Sequence, residues 1–279
     1  MWASASKNEI KRSVGFIGYR PKIKKSDNQK IAEVGKNKLK KFAEMETFTN
    51  VVQSPMQHPG QADHELKGKW NTEFFKSNQP LTLELGCGKG EYSVSQAKFN
   101  PLKNFIGVDI KGARMWKGAK LAVEQGITNV GFLRTSIEII DKFFAEGEVQ
   151  EIWITFPDPQ MKSTRRRLTA TNFMEIYRRI LAPGGIIHLK TDSNFQYQYT
   201  LEMVKENGFE IVANTDNLYQ SELLDDVLSI QTFYEKQWRE RGIDIKYLAF
   251  KLNHNEQLRE PDVEIEKDPY RSFGRSARE

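Results

Sequence analysis

Beyond residue 80 the chain alternates short apolar runs with longer amphipathic stretches. Leu81–Leu85, Phe105–Ile110, Val130–Leu133, Glu151–Phe156 and Ile186–Lys190 carry the dense apolar content of buried strands. Between them Glu91–Phe99, Ala113–Gln125, Ile137–Phe144 and Ala170–Leu181 have the length and spacing of helices. Pro183-Gly184-Gly185 reads as the stop of the last of these, because glycine and proline collect past helix C-termini. A further helix is expected over Tyr197–Asn207, then strands at Phe209–Val212 and Ile245–Leu252. Parallel neighbours need crossover helices, so the alternation predicts an α/β fold: a doubly wound, mainly parallel sheet with helices on both faces.

Ahead of this region the pattern dissolves. Met1 to about Lys30 shows no period and reads as a disordered basic arm. Leu39, Phe42 and Met45 recur at helical spacing within Ile31–Glu46. Pro55, Pro59 and Gly60 then mark a linker that runs to about Trp70. After Asn253 the tail is charged and is expected to be irregular.

Composition narrows the class. The 279 residues, 38% of them hydrophobic, suffice for one α/β domain with an extension. Neither a secretory h-region nor an apolar run of membrane-spanning length is present, so a soluble, cytoplasmic protein is expected. The single Cys87 has no partner for an internal disulfide, and the 4 histidines lack ligand spacing, so no metal is expected. Net charge is +5 and the pI about 9.0. That permits an acidic partner without demanding one. Distribution says more: between Lys11 and Lys41 the many lysines and arginines face only Asp27 and Glu33, and a second cluster comprises Lys162, Arg165, Arg166 and Arg167. The first reads as a solvated surface, the second as a phosphate contact because of where it lies.

Candidate chemistry starts at Glu84-Leu85-Gly86-Cys87-Gly88-Lys89-Gly90, which follows the first strand and opens the first helix. Glycines at such a turn let the backbone approach a ligand closely. The spacing is G-x-G-x-G, with Glu91 where a dinucleotide fingerprint has its third glycine. A pyrophosphate sits poorly beside Glu84 and Glu91, whereas a cationic sulfonium ligand does not. Asp109, about 20 residues on at the end of the second strand, has the position of a ribose-hydroxyl acceptor; its alternative role is an N-cap for the helix from Gly112. Thr135 and Ser136, after the third strand, stand where such folds contact adenine, or cap the helix at Ile137.

The fourth strand runs into Phe156-Pro157-Asp158-Pro159. Ligands bind outside the carboxyl ends of strands in such sheets, and the flanking prolines stiffen the turn that holds Asp158. The bland alternative is an Asx-turn. A basic cluster four residues beyond implies a polyanionic substrate. The fifth strand ends in Lys190-Thr191-Asp192, a further carboxylate at the same edge, suited to capping the next helix or to binding a guanine edge.

Together, Glu84–Gly90, Phe156-Pro157-Asp158-Pro159 with Lys162 and the arginines, Thr191-Asp192, and Thr232-Phe233-Tyr234-Glu235 resemble the bacterial tRNA (guanine-N7-)-methyltransferases, from about Gly35 to the C-terminus. The resemblance implies a class I methyltransferase (Rossmann-like) fold, S-adenosyl-L-methionine as cofactor and N7 of the variable-loop guanosine at tRNA position 46 as target. By position it implies cofactor contacts at Glu84, Gly86, Asp109, Thr135 and Asp158, with Asp158 catalytic. It implies substrate contacts at Lys162, Asp192, Thr232, Phe233, Tyr234 and Glu235, and RNA contacts at Thr164, Arg165, Arg166, Arg167, Leu168 and Thr169. Gln160 departs from the tryptophan that often follows the second proline, and Thr135 from an acidic or amide residue. On this reading residues 1–33 are the basic arm, 34–70 an N-terminal helix and linker, 71–253 the methyltransferase domain and 254–279 the tail. Val34 stands where relatives begin with methionine, so 1–33 are expected to lie outside the native chain.

Guanine N7 carries a lone pair and no proton, so methylation there needs no general base, only alignment in a dry site. Two rivals remain: methylation of an exocyclic amine, disfavoured by the missing aromatic at Gln160, and a non-catalytic RNA-binding module, disfavoured by intact Glu84, Asp109 and Asp158. Monomer and homodimer are both open.

Overall fold

The computed structural model describes residues 37–55, 60, 62–252 and 257–271. The expected basic arm and the Val34 start lie outside the described residues. The chain divides into two compact units, Met1–Leu39 and Lys40–Glu279. The first contributes only helical residues 37–39 to the description, and the sheet belongs to the second. Residues 37–45 are helical (α1).

The strands are β1 (Val51–Gln53), β2 (Leu81–Leu85), β3 (Asn104–Val108), β4 (Val130–Arg134), β5 (Val149–Thr155), β6 (Leu181–Thr191), β7 (Glu210–Thr215) and β8 (Lys246–Lys251). They form one 8-stranded sheet in the order β1-β4-β3-β2-β5-β6-β8-β7. Every adjacent pair is parallel except those of β8, which is antiparallel to both β6 and β7. The helices are α2 (Glu91–Phe99), α3 (Gly112–Glu124), α4 (Thr171–Tyr177), α5 (Asn194–Glu206) and α6 (Phe233–Glu240). All residues of β2 and β3 are buried, so even Thr82 and Glu84, which alternate with the leucines of β2, lie inside the fold. Strand order reverses between β2 and β5, so the chain leaves those two neighbours in opposite directions and opens a crevice at their carboxyl ends.

The expected doubly wound sheet is therefore present, with local corrections. Pro183-Gly184-Gly185 does not stop a helix. α4 ends at Tyr177, and the triplet bulges from β6, where pairing jumps from Val149↔Leu181 to Glu151↔Ile186. Gly184 takes φ +75° there, and proline lacks the N–H a ladder needs, so the extra residues leave the pairing. The stretch after β4 is a kinked 3-10 helix, Ile137–Lys142, with Ile139 non-helical. Within the expected linker, β1 adds a parallel edge strand to β4. At its end a π-helical turn, Trp70–Phe75, anchors through Trp70, whose Nε1 donates to the Phe143 carbonyl at 2.8 Å.

The tail is irregular from 257 to 268, yet it is fastened along α5. Arg259 N donates to Asn207 Oδ1 at 2.7 Å, and Asn207 Nδ2 returns a bond to the Arg259 carbonyl at 2.8 Å. Glu260 accepts from the Tyr199 hydroxyl at 2.6 Å and from Thr171 N at 3.0 Å. Asp268 reaches the other end of α5, accepting from Phe195 N at 3.0 Å and from the Ser193 hydroxyl.

Candidate active site

β2, β3, β4, β5 and β6 all end on one edge of the sheet, and the sequence-expected residues leave from those ends. After β2 the chain turns through Gly86, Gly88 and Gly90 at φ +80°, +55° and +70°, a region where a side chain is strained. Gly86 N and Cys87 N both donate to the Val108 carbonyl, at 2.8 and 3.0 Å, folding the loop across the end of β3. The glycines have different tasks. A Cβ on Gly86 or Gly88 would meet nothing nearer than 3.8 Å, so these two leave open space over the turn. A Cβ on Gly90 would lie 2.5 Å from the Phe132 ring, and one on Gly118 2.7 Å from the Lys89 carbonyl, so these two let the loop and α3 close on each other.

Glu84 is buried, 3% exposed, on β2. Its Oε1 accepts from the Thr155 hydroxyl of β5 at 2.7 Å, and its Oε2 from Ser93 N at 2.9 Å and the Ser93 hydroxyl. The carboxyl therefore ties both strands of the switch point to the first turn of α2. Burial pushes its pKa up to about 7, against the three hydrogen bonds that favour the charged form and with help from nearby Asp109. Asp109 is half-buried; Oδ2 accepts from Gly88 N at 3.0 Å and Oδ1 from Lys111 N at 2.7 Å. It thus braces the glycine turn and does not cap α3, whose N-cap Lys111 makes no side-chain cap. Thr135 is fully buried after β4, and its hydroxyl has no hydrogen-bond partner among the described residues. It does not cap the following 3-10 helix either.

Asp158 is exposed on the turn after β5, with Oδ1 accepting from Gln160 N at 3.1 Å. The Asx-turn is real, and it sits inside a strained segment. Phe156 (φ 49°) and Gln160 (φ 46°), two of the three non-glycine residues at positive φ among those described, bracket it. Such strain costs about 1–3 kcal/mol per residue and concentrates at functional sites.

The basic cluster divides. Lys162, Arg165 and Arg166 are exposed and Thr164 partly so. Arg167 turns inward at 6% exposure: its Nε donates to the Pro159 carbonyl at 3.2 Å, and its guanidinium lies 4.7 and 4.4 Å from the rings of Phe195 and Tyr199. Thr169 is buried against Thr200 at 2.7 Å, and Leu168 packs on the main core. Hydrogen bonds and packing turn the side chains of Arg167 and Thr169 inward, Leu168 is partly buried against the core, and Arg167 supports the Asp158 loop.

Asp192 is buried beyond β6 and accepts from the Tyr270 hydroxyl at Oδ2, 3.1 Å, and at its carbonyl, 3.0 Å. It does not cap α5; Ser193 does, accepting from Gln196 N. Thr232–Glu235 begins α6, with Thr232 as N-cap accepting from Glu235 N at 3.2 Å. Phe233 N donates to Glu91 Oε2 at 2.9 Å, and Lys89 Nζ lies 3.6 Å from the Phe233 ring centre, so α6 is hooked onto the glycine turn. Tyr234 stacks edge-on against Phe233. Glu235 is fully buried and pairs with Lys190 at 2.8 Å. Lys190 also donates to the carbonyls of Leu228 (2.7 Å) and Ile230 (2.9 Å), and burial pulls its pKa down against the pull of Glu235. Glu235 therefore pins the 228–235 segment to β6.

Sequence reasoning did not single out Ser93, Thr155, Lys190, Asp268 or Tyr270. Ser93, Thr155 and Lys190 leave a signal, standing beside motifs already chosen. A cavity of about 550 Å³ opens between the 161–167 loop, α4, α5 and tail residues 258–265. It is lined by Arg165 and Tyr199 and not by the glycine turn, Asp109 or Thr135, so it adjoins the site without being its cofactor crevice. Among the described residues no group of His, Cys, Asp and Glu could hold a metal ion and no helix is long and apolar enough to cross a membrane.

The glycine edge suits a positively charged nucleoside. It offers open space above Gly86 and Gly88, acidic side chains at Glu84, Asp109 and Asp158, and a Thr135 hydroxyl without a partner among the described residues.

The family described as putative methyltransferase matches residues 78–248. A Bacteroides fragilis protein named tRNA (guanine-N(7)-)-methyltransferase is 56% identical over 245 residues, 88% of this chain and 97% of that protein. A Porphyromonas gingivalis protein of the same name is 53% identical, over 84% of this chain and 98% of its own. Among solved structures, the 16S rRNA methyltransferase KamB aligns with TM-score 0.52 at 16% identity, covering 73% of this chain and 99% of that one; this likeness concerns the fold alone.

Proposed function

The chain belongs to the tRNA (guanine-N(7)-)-methyltransferase family, and on that premise we propose that it transfers a methyl group from S-adenosylmethionine to N7 of guanosine in tRNA, at position 46 of the variable loop. The observation that carries the geometry is Asp158, held on a strained turn that leaves β5 beside the glycine turn leaving β2. A cytoplasmic setting accompanies a tRNA substrate.

S-adenosylmethionine, when bound, supplies an electrophilic methyl group on a sulfonium. Gly86 and Gly88 give it room, Asp109 accepts from ribose, Thr135 offers its hydroxyl to the adenine, and the carboxylates favour a cation over a pyrophosphate. Lys162, Arg165 and Arg166 hold the RNA backbone, and Asp192 with the start of α6 faces the guanine. The nucleophile needs no deprotonation, so the protein's work is orientation and exclusion of water. Methylation leaves positive charge on the purine. Asp158 either stabilises that charge as it develops or holds the donors at guanine N1 and N2.

The test is transfer of labelled methyl to unmodified tRNA, with the product located by borohydride reduction and aniline scission, which cut the chain at 7-methylguanosine. Scission at position 46 is expected. Label on an exocyclic amine, or cofactor binding with no transfer, would overturn the proposal in favour of the two rival readings.

A further inference from the structure

We propose that the C-terminal strap completes the substrate side of this site, with Tyr270 as a positioning residue for Asp192; the inference rests on the reading of Asp192 as a guanine-binding residue. Asp192 is fully buried, on a short segment between β6 and α5. A carboxylate that is to meet a base edge needs its plane set beforehand, because each misdirected hydrogen bond loses alignment. Asp192 is not the cap of α5, a role that Ser193 fills.

Orientation comes from the tail. The Tyr270 hydroxyl donates to Asp192 Oδ2 at 3.1 Å and reaches the Asp192 carbonyl at 3.0 Å, gripping side chain and backbone together. Lys246, at the start of β8, donates to the same carbonyl at 3.3 Å. Tyr270 is itself held against Trp238 of α6, ring centres 5.5 Å apart, and α6 is the helix hooked to the glycine turn through Phe233 and Glu91. Two residues earlier Asp268, 3% exposed, accepts from Phe195 N and the Ser193 hydroxyl, fixing the strap to the N-terminus of α5. Upstream, Arg259 and Glu260 fasten it to Asn207, Tyr199 and Thr171. The strap thus runs the length of α5 and ends with a phenol on Asp192, linking α5, α6 and the end of β6 at one carboxylate.

A double-mutant cycle on the full chain tests this. Tyr270→Phe, Asp192→Asn and the double variant are compared in kcat and KM for unmodified tRNA, together with melting temperature and S-adenosylmethionine affinity. The hydroxyl donates to a charged acceptor, so Tyr270→Phe is expected to lower kcat roughly ten-fold. KM for tRNA, governed by phosphate contacts, should stay within about two-fold. In the Asp192→Asn background the same change should have almost no further effect. Full activity of Tyr270→Phe beside an active wild type overturns the inference alone, as does a loss that is equal in both backgrounds or that follows melting temperature without touching kcat at lower temperature. A wild-type protein that forms no 7-methylguanosine overturns the functional reading beneath it.

Discussion

Glu84→Gln isolates the energetic consequence of burying a carboxyl at the switch point. In the folded protein Glu84 titrates near 7, against 4.5 for an unperturbed side chain. Between those values the native state keeps a proton that the unfolded chain has released, so stability must fall as pH rises from about 4.5 to 7 and level off above. At about 1.36 kcal/mol per pKa unit, the whole excursion amounts to about 3 kcal/mol. Glutamine removes the titration while preserving the contacts. Its carbonyl takes the place of Oε2, accepting from Ser93 N and the Ser93 hydroxyl, and its amide faces the Thr155 hydroxyl, which can rotate to accept. Other groups titrate alike in both proteins, so the difference between two pH profiles reports this side chain. Urea unfolding in the absence of cofactor, at intervals from pH 4.5 to 8, should show the variant gaining about 3 kcal/mol on wild type across the window. Profiles that run parallel within about 0.5 kcal/mol would refute the reasoning, since they would mean that the carboxyl ionises in place without a burial penalty. A cationic ligand favours the ionised form, so S-adenosylmethionine affinity should also rise with pH through about 7 in wild type and stay flat in Glu84→Gln.

Gly90→Ala should destabilise by roughly 2–4 kcal/mol in denaturant unfolding, combining a left-handed backbone with a Cβ 2.5 Å from Phe132; an effect below about 0.5 kcal/mol would show that the loop and α3 are not in tight contact. Asp158→Ala should cut turnover by orders of magnitude with folding and cofactor affinity much less affected, and turnover within a few-fold of wild type would remove the catalytic assignment. Replacing Arg165 and Arg166 with alanine should lessen the salt dependence of tRNA binding by roughly one unit of slope per lost phosphate contact. Arg167→Ala should leave that slope alone and lower the melting temperature, and the opposite result for either variant would mean that burial has sorted these arginines wrongly.

The alternation of short apolar-rich segments and helix-length segments is enough to read the sheet, because parallel neighbours need crossover helices and so repeat that pattern along the chain. Elements outside that pattern escaped. β1 is three residues long at an edge, too short for any period to register. α6 opens on Thr232, whose side chain accepts from Glu235 N, but its eight residues are too few and too polar for an apolar period to announce a helix. Pro183-Gly184-Gly185 marks a break equally well in a helix or a strand, and only the pairing of β6 with β5 tells which. In the site, Glu84, Gly86, Asp109, Asp158 and Asp192 lie toward one edge, since each stands near or just past the carboxyl end of a strand whose direction the alternation predicts. What stayed hidden depends on partners distant in sequence. Arg167 looks like its neighbours until Phe195 and Tyr199 close over it, and Lys190 meets Glu235 only once α6 has docked.

Among the described residues β8 is the last strand in the sequence, and yet it lies inside the sheet, between β6 and β7. Until residues 246–251 arrive, the outer edge of β6 has no strand beside it, and β7, whose only strand neighbour among the described residues is β8, has no place in the sheet. Most of the parallel core can therefore assemble during synthesis, while the edge nearest Asp192 waits as an open row of N–H and C=O groups, the kind of template that recruits other chains. The order of manufacture makes the C-terminal part of the sequence both the closing piece of the sheet and its protection against misassembly.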